Sequence, residues 1–516
     1  MTTSQASDER ARNYLFGFAD DGRFLAEGVA VEELAATYGT PLHVVSKNQL
    51  LANLHGLHSG MQSKWPGPTR VLPAIKSNTS FALCRLLSAE TPGCDLFSEG
   101  ELIAALRGGF EPGCLSLNGN SKLGSDTELL RTAITKGVRI TLDDALELDP
   151  IEAIAEELGC RATIRLRVRA RLPKAKAPTD FPVHGPLPTD VAAQAYKAGI
   201  PWEDLVPAGR RAIASPHIDL VGLHLHLGRH RRELTFWRQS MQAYAGLIAD
   251  LSREWDGWLP REIDVGGGFA QHLDPFAGYA HEHSTDRQYR MLGKLMKVAG
   301  WFGDDARYRS VVSLLEKERK GIRQRPPVDL ERSDVPSGEE YTATVAAALR
   351  DALAAQHIDC RDILLEIEPG RALFGSAAIH IARVDFIKRQ TLPLPWAWAV
   401  TDTSEVWLQG GGHGPNHPCV VDGKPLERYP AALRMVADIA GKSCGPDQII
   451  GDACLPGDLA AGDRVVLVGT GAYQEMQSSN FNSMPRPATV LVDGEHHRLI
   501  RRRETIDDVF DREIDL

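Results

Sequence analysis

No stretch of the 516 residues holds an apolar run near the roughly 20 residues that cross a bilayer, so a membrane-spanning helix is not expected. The opening segment, MTTSQASDERARN, also lacks the apolar core of a signal peptide, and the expected compartment is the cytoplasm. Positive charge is in short supply. Against 68 Asp and Glu stand 58 Lys and Arg, and a net charge of -10 offers no general attraction to nucleic acid or to an anionic membrane surface. Cysteine pairs are missing too: Cys84, Cys94, Cys114, Cys160, Cys360, Cys419, Cys444 and Cys454 are scattered, with no CxxC and no metal-finger spacing. That excludes a disulfide framework and points to reduced thiols. What remains is ordinary for a soluble globular protein, with 43% hydrophobic and 24% charged residues. The length calls for about two or three domains, and two are expected.

The chain opens with a short helix at 31–38, a strand at 41–45 and an amphipathic helix at 47–63. From residue 70, short apolar runs alternate with helical stretches, the pattern of parallel strands joined by crossover helices. Eight candidate strands are read at 70–75, 91–97, 114–117, 138–142, 162–168, 218–225, 261–265 and 362–367. The fold class is therefore α/β, a closed (β/α)8 or TIM barrel. Two connections, 170–217 and 270–340, are long and rich in proline and charge, and read as functional loops, lids or insertions. A helix at 339–355 closes the second, while its middle, KERKGIRQRPP, reads as a solvated linker or a lid. Near Gly375 the rhythm becomes strand after strand (376–389, 396–402, 447–451, 464–468, 487–493 and 496–501), with turns such as Asp422-Gly423 and Asp493-Gly494. The expected division is a segment 1–46 packing with the β domain, a barrel over 47–375, and an all-β domain over 376–516.

In such a barrel the chemistry gathers where the strands end. Polar residues fall there repeatedly. The first strand, in VLPAIKSN, ends on Lys76, an amine that burial would ready for imine formation with an aldehyde. The second carries Asp95 and Ser98 in GCDLFSEGEL, and the third carries Asn118 to Lys122 in LNGNSK. The sixth ends in HLHLGRH, with His224, His226, Gly228, Arg229 and His230. The seventh ends in DVGGGF, with Asp264 and Gly266, Gly267 and Gly268; the eighth ends in EIEPGR, with Glu366, Glu368 and Arg371. Each piece has a plainer reading. Three glycines can be only a tight turn, though exposed backbone N–H groups also form a nest for phosphate. The histidines could hold zinc, but no third ligand with metal spacing stands near them in sequence. Glu-Pro-Gly-Arg could be a structural turn, whereas a buried glutamate beside a ring nitrogen would keep that nitrogen protonated.

A lysine for an imine, glycines for a phosphate and a carboxylate for a pyridinium together specify pyridoxal 5′-phosphate. The motifs AIKSN, GCDLFSEGEL, NGNSK, HLHLG, DVGGGF, EPGR, CLPGD and GAYQEMQSSNFNSMPRP occur in the family's order. With them, the chain resembles the fold-type III pyridoxal-phosphate decarboxylases, which include ornithine, arginine and diaminopimelate decarboxylases. In that group an alanine-racemase-like barrel is followed by a β domain. The tail over 471–509, with VLVDGEHHRLIRRRE, is most like diaminopimelate decarboxylase. The resemblance implies that Lys76 holds the cofactor, that His226 stacks on its ring, and that Asp95 supports both. It further implies that Gly266, Gly267, Gly268, Arg371 and Tyr473 hold the phosphate, and that Glu368 pairs with the ring nitrogen. Cys454 matches a cysteine that enters from the second subunit and protonates the carbanion, which makes a homodimer with shared sites the expected assembly. Its plainer reading is a small buried hydrophobe.

The departures bear on substrate. Arg229 follows Gly228 where the family has serine, and it would meet an anionic substrate group or reinforce the phosphate site. Diaminopimelate decarboxylases carry a glutamate directly after the catalytic cysteine, where this chain has Leu455; their arginine and tyrosine segment is replaced by TDTSEVWLQGGGHGPNHP at 401–418. Glu405, Trp407 and His413 are candidate replacements there, against the alternative of a plain surface hairpin. The expected activity is decarboxylation of an amino acid other than, or broader than, diaminopimelate, placed in specialised metabolism. Two alternatives stand: a pyridoxal-phosphate racemase or epimerase, and a catalytically silent regulatory homologue. The joint presence of Lys76, Glu368, Cys454 and Tyr473 argues against the second.

Overall fold

A computed structural model describes residues 14–514, except 121, 124–127, 170–196, 229–230, 275–304, 334, 392–394 and 409–416. The chain divides into two compact units. One comprises residues 51–271 and 336–374. It holds eight strands: β1 Thr69–Val71, β2 Asp95–Leu96, β3 Ser116–Leu117, β4 Arg139–Leu142, β5 Ala162–Arg167, β6 Ile218–His224, β7 Glu262–Asp264 and β8 Leu364–Ile367. They pair side by side in the order β1-β8-β7-β6-β5-β4-β3-β2, all parallel. Between β2 and β1 the ring is closed by a single parallel bridge, Ala74 to Asp95, in which the Asp95 N–H donates to the Pro73 carbonyl at 3.1 Å. This is the (β/α)8 barrel expected from the alternating rhythm.

The helices between strands form for local reasons. Ser98 caps Glu99–Gly108 by accepting from the Glu101 N–H at 3.3 Å, and Gly109, at φ 96°, ends that helix in the left-handed region that glycine tolerates. Ser337 and Glu340 form a capping box that starts Gly338–Ala355, matching the helix expected at 339–355.

Several boundaries differ from the sequence reading. The first strand stops at Val71 rather than residue 75, and Ile75–Ser77 is a 3-10 turn with Lys76 at its centre. The second shrinks from 91–97 to Asp95–Leu96. In both places a proline, Pro73 or Pro92, has no N–H to give a ladder. The connection 170–217 contains the regular helix Trp202–Ala214, with 170–196 lying outside the described residues. The KERKGIRQRPP stretch is not a linker throughout: its first seven residues belong to the helix Asp305–Arg323, which ends before Pro326 and Pro327.

The other unit comprises residues up to 50, 272–335 and 375 onward. Its main sheet runs Gln448–Pro456, Arg434–Ala440, Trp396–Thr401, Ala378–Gln390, Leu42–Ser46, Ala488–Asp493 and His496–Arg501. Arg464–Val468 pairs with Ala378–Gln390, and Cys419–Val421 pairs with Arg464–Val468. The strand Leu42–Ser46 therefore lies between segments more than three hundred residues downstream, antiparallel to one and parallel to the other. Its alternate residues Leu42 and Val44 join Ile379, Ile381, Val466 and Val490 in an apolar core. Strands at Arg434–Ala440 and Cys419–Val421 were not read from the sequence, nor were three short ones between Phe16 and Ala30. The helix Asp305–Arg323 packs on Arg434–Ala440 and Gln448–Pro456.

Candidate functional site

The C-terminal ends of β1, β2, β3, β6, β7 and β8 bring one set of side chains together. Lys76 projects its Nζ to 2.5 Å from Asp95 Oδ2 and 4.6 Å from the centroid of the Phe97 ring. Asp95 is fully buried, and its other oxygen accepts from Asn118 Nδ2 at 2.6 Å. The same amide donates to Glu368 Oε1 at 2.6 Å. Ser116 Oγ adds a donor to that oxygen at 3.2 Å, and His224 Nε2 lies 3.0 Å from Glu368 Oε2. Lys76 and Glu368 thus share one pocket, joined through Asp95 and Asn118.

Charge in this pocket is set by burial and by fixed cations. Burial opposes ionisation of Glu368, but the charge and hydrogen bond of His224, followed by the charges of Lys76 and Arg165, outweigh it and hold the carboxyl well below its ordinary range. Burial pushes His224 down, and His226 further. Burial and the neighbouring Glu368 raise Asp95, against the pull of Lys76. Asp264 is raised well above its ordinary value for the same two reasons, burial first.

Beneath this layer lies an ionic one. Arg165 Nη1 reaches Asp264 at 2.9 Å and Glu366 at 2.6 Å, with both ends of each pair fully buried, and its Nη2 donates to Ser116. Arg139 and Arg70 also reach Glu366, at 2.8 and 2.9 Å. Arg139 and Arg70 help offset Glu366, and the Arg165 charge, shared with Asp264 and Glu366, also acts on Glu368 from nearby.

The glycine run is a backbone cradle. Gly266 and Gly268 have φ of 67° and 103°, and a Cβ on Gly266, Gly267 or Gly268 would come within 2.5, 2.3 and 2.2 Å of the carbonyls of Leu225, Glu368 and Gly228. No side chain fits at any of the three. Beside them His226 is half-buried, with a buried Nδ1 that lacks a partner, and Arg371 is buried at the start of the turn Arg371–Phe374.

The remaining candidates lie elsewhere. Cys454, Tyr473, Glu405 and Trp407 belong to the other unit, and Arg229 and His413 lie outside the described residues. Trp407 is buried, with Lys442 Nζ 5.1 Å from its ring centroid, and the Glu405 N–H donates to Asp447 at 2.6 Å. Leu455 is 1% exposed and sits in an apolar core with Met435, Ile439 and Leu467.

Sequence reasoning missed the bridging role of Asn118, the part of His224 and the whole arginine layer. A signal for the last was present: Arg165 and Arg167 alternate in ATIRLR, and Glu366 and Glu368 alternate in EIE, so each pair faces one side of its strand. It also missed a third donor near the histidines, since donor atoms of His224, Asp264 and Glu368 lie within 4.8 Å of one another. Arg165 already sits against Asp264, and that fixed positive charge opposes a metal cation there.

Comparison with known proteins places this geometry. Residues 51–294 match the family model described as pyridoxal-dependent decarboxylase, pyridoxal binding domain. The diaminopimelate decarboxylase of Archaeoglobus fulgidus is 26% identical over 498 residues, covering 96% of this chain and 97% of that one. A crystal structure of diaminopimelate decarboxylase from M. jannaschii in co-complex with L-lysine superposes with a TM-score of 0.73 at 21% identity, covering 97% of this chain and 98% of that chain. Lysine decarboxylase from Selenomonas ruminantium gives 0.60 at 18%, covering 91% and 97%. The barrel pocket fits the cofactor such a family uses: a lysine held by a buried carboxylate, an ionised buried glutamate, a cradle closed to any Cβ, and an orphaned imidazole nitrogen. Residues 51–294 carry the pyridoxal binding domain of the pyridoxal-dependent decarboxylases, and the chain, similar over nearly its whole length to diaminopimelate decarboxylases, is a carboxy-lyase whose cofactor is pyridoxal 5′-phosphate.

Proposed function

We infer that the chain removes the α-carboxylate of an amino acid other than, or broader than, diaminopimelate, acting in the cytoplasm as a homodimer whose sites draw on both subunits. The observation that carries the reading is the run Lys76–Asp95–Asn118–Glu368, which joins a lysine to an ionised glutamate inside one barrel mouth. When bound, the cofactor supplies an electron sink for the electrons of the breaking Cα–carboxylate bond. Glu368, held ionised, would keep a proton on the ring nitrogen, while Lys76 would hold the cofactor covalently and serve proton transfer at Cα. His226, neutral through burial, offers a flat uncharged face for the ring. The cradle at 266–268, with Arg371 and Tyr473, binds the phosphate. Cys454 of the partner subunit donates the proton that Cα takes up after carbon dioxide leaves. Leu455 lies in a core and presents no carboxylate to a distal ammonium, which supports a substrate unlike diaminopimelate.

The test is a screen of free amino acids and their conjugates for carbon dioxide release. The visible absorbance of the loaded enzyme is expected to be erased by borohydride and absent in Lys76→Ala. Mixing inactive Lys76→Ala and Cys454→Ala subunits should restore about a quarter of wild-type turnover, because half of a random mixture is heterodimer and each heterodimer has one intact site. No restoration overturns the shared site. Deuterium uptake at Cα without carbon dioxide release would make the chain a racemase, and turnover of meso-diaminopimelate alone would overturn the substrate reading.

A further inference from the structure

Cys454 lies on the strand Gln448–Pro456, antiparallel to Arg434–Ala440, with Val436 opposite Cys454 and Arg434 opposite Pro456. Strand alternation puts Arg434 diagonally beside Cys454 on one face. The donors of Arg434 go to backbone carbonyls: Nε to Tyr429 at 2.7 Å, Nη1 to Arg325 at 2.9 Å and Arg323 at 3.2 Å, and Nη2 to Leu426 at 3.2 Å. Among the described residues no carboxylate pairs with it. Two of those carbonyls belong to the end of the helix Asp305–Arg323 and the residues just after it, so Arg434 fixes Arg323 and Arg325 in place. The helix that ends at Arg323 packs on both Arg434–Ala440 and Gln448–Pro456, the strand that carries Cys454. Arg323 meets only Glu316, at 3.6 Å, and Arg325 is exposed with no ion pair among the described residues.

Capping of a helix C-terminus accounts for Arg434. It does not account for two further arginines held at the same point of the sheet. Elsewhere in this unit arginines meet carboxylates directly, as Arg464 does Asp422 at 2.8 Å and Arg501 does Glu475 at 2.5 Å. In a chain of net charge -10, an under-neutralised cluster of three arginines at one half-buried thiol is a local inversion of sign.

We propose that Arg323, Arg325 and Arg434 form an anion-recognising wall beside Cys454, which selects an α-amino acid whose far end carries a carboxylate and repels one whose far end carries an ammonium. Guanidinium groups suit this task because they are always charged and donate in a planar fork that matches a carboxylate. Like-charge repulsion supplies the discrimination against the cationic analogue. The inference rests on the reading of Cys454 as the proton donor at Cα.

Two measurements test it. In the full-length holoenzyme, glutamate and 2-aminoadipate should exceed ornithine and lysine in kcat/KM by about tenfold or more, and Arg325→Glu should abolish or reverse that ratio through KM. The second needs neither substrate nor cofactor. Cys454 should be alkylated by iodoacetate, relative to neutral iodoacetamide, about tenfold more readily than the exposed Cys444 in the same molecule, as read by peptide mass spectrometry. Arg325→Gln should lower that preference and Arg325→Glu should remove it, and Arg325 is exposed enough for both variants to fold. Equal preference at the two thiols, an unchanged preference in Arg325→Glu, or no reaction of Cys454 with either reagent overturns the wall. Full turnover by Cys454→Ser would instead remove the underlying reading of that thiol, whereas a strict need for Cys454 with an unmoved substrate ratio removes the wall alone.

Discussion

Asn118 divides one amide between two carboxylates, donating to Asp95 and to Glu368 at 2.6 Å each. Both acceptors are buried, so their charges have no solvent to fall back on. Asn118→Ala leaves Asp95 Oδ1 without that donor and Glu368 Oε1 with Ser116 alone, at a cost of about 1–3 kcal/mol for the group left unsatisfied. The expected outcome is a loss of cofactor affinity of about tenfold or more with the fold retained, measured by titrating the apo protein with pyridoxal 5′-phosphate and following absorbance, since 1.4 kcal/mol corresponds to tenfold. Retained affinity would show that the bridge is not what poises Glu368. Asn118 was legible as a rim residue from its place in LNGNSK, but not as a bridge. That role depends on how β2, β3 and β8 stand around the ring, and a linear sequence carries no closure register.

At the scale of the strand, β5 shows why charge patterns mislead. Arg165 and Arg167 recur with the period of a strand whose alternate face meets water, yet Arg165 is fully buried and bonded to carboxylates from β7 and β8. The alternation was readable in the sequence; which side faced the barrel interior was not, because only the partners on distant strands make a buried guanidinium tolerable. Substituting Arg165→Met strands Asp264 beside Glu366 and should destabilise the apo protein by about 3–5 kcal/mol, the cost of breaking a buried ion pair from one side, checked by urea unfolding. The same strand-level physics shortened β1 and β2. Strand positions were legible from apolar runs, while Pro73 and Pro92 decided where the ladder stopped.

Across the whole molecule, acid should find the buried imidazoles. His43, His224, His226 and His380 are all pushed below the ordinary value of 6.5, burial being the first cause in each. In the unfolded chain each takes up a proton near that pH, whereas in the folded chain each refuses it until the pH is lower. The unfolded state then binds more protons, and stability falls as pH drops below 6.5, by about 1.4 kcal/mol per pH unit for each such proton. Asp95 and Asp264, raised by burial, act in the opposite direction above their ordinary 3.8, so the clean measurement is a difference. Apo wild type should lose more stability between pH 7.5 and 5.5 than His226→Asn, as followed by denaturant midpoint, and equal slopes would show His226 to be protonated in the fold. The broad architecture, a parallel barrel and a β-rich unit, was legible because periodicity is local. The lodging of Leu42–Ser46 among strands some three hundred residues later was less so, since such pairing is a property of the folded surface and not of any window of residues.

The lone bridge from Ala74 to Asp95 gives the barrel the character of a hoop with one lightly fastened stave. Every other neighbouring pair is knit by a ladder, and this joint is flanked by the Lys76 amine and by its counter-ion Asp95, set 2.5 Å apart. Breathing of the ring should begin there, so the Asp95 amide should trade its hydrogen for deuterium ahead of Leu166, and the pocket's floor stays rigid while its reactive edge retains the play to admit what it must grip.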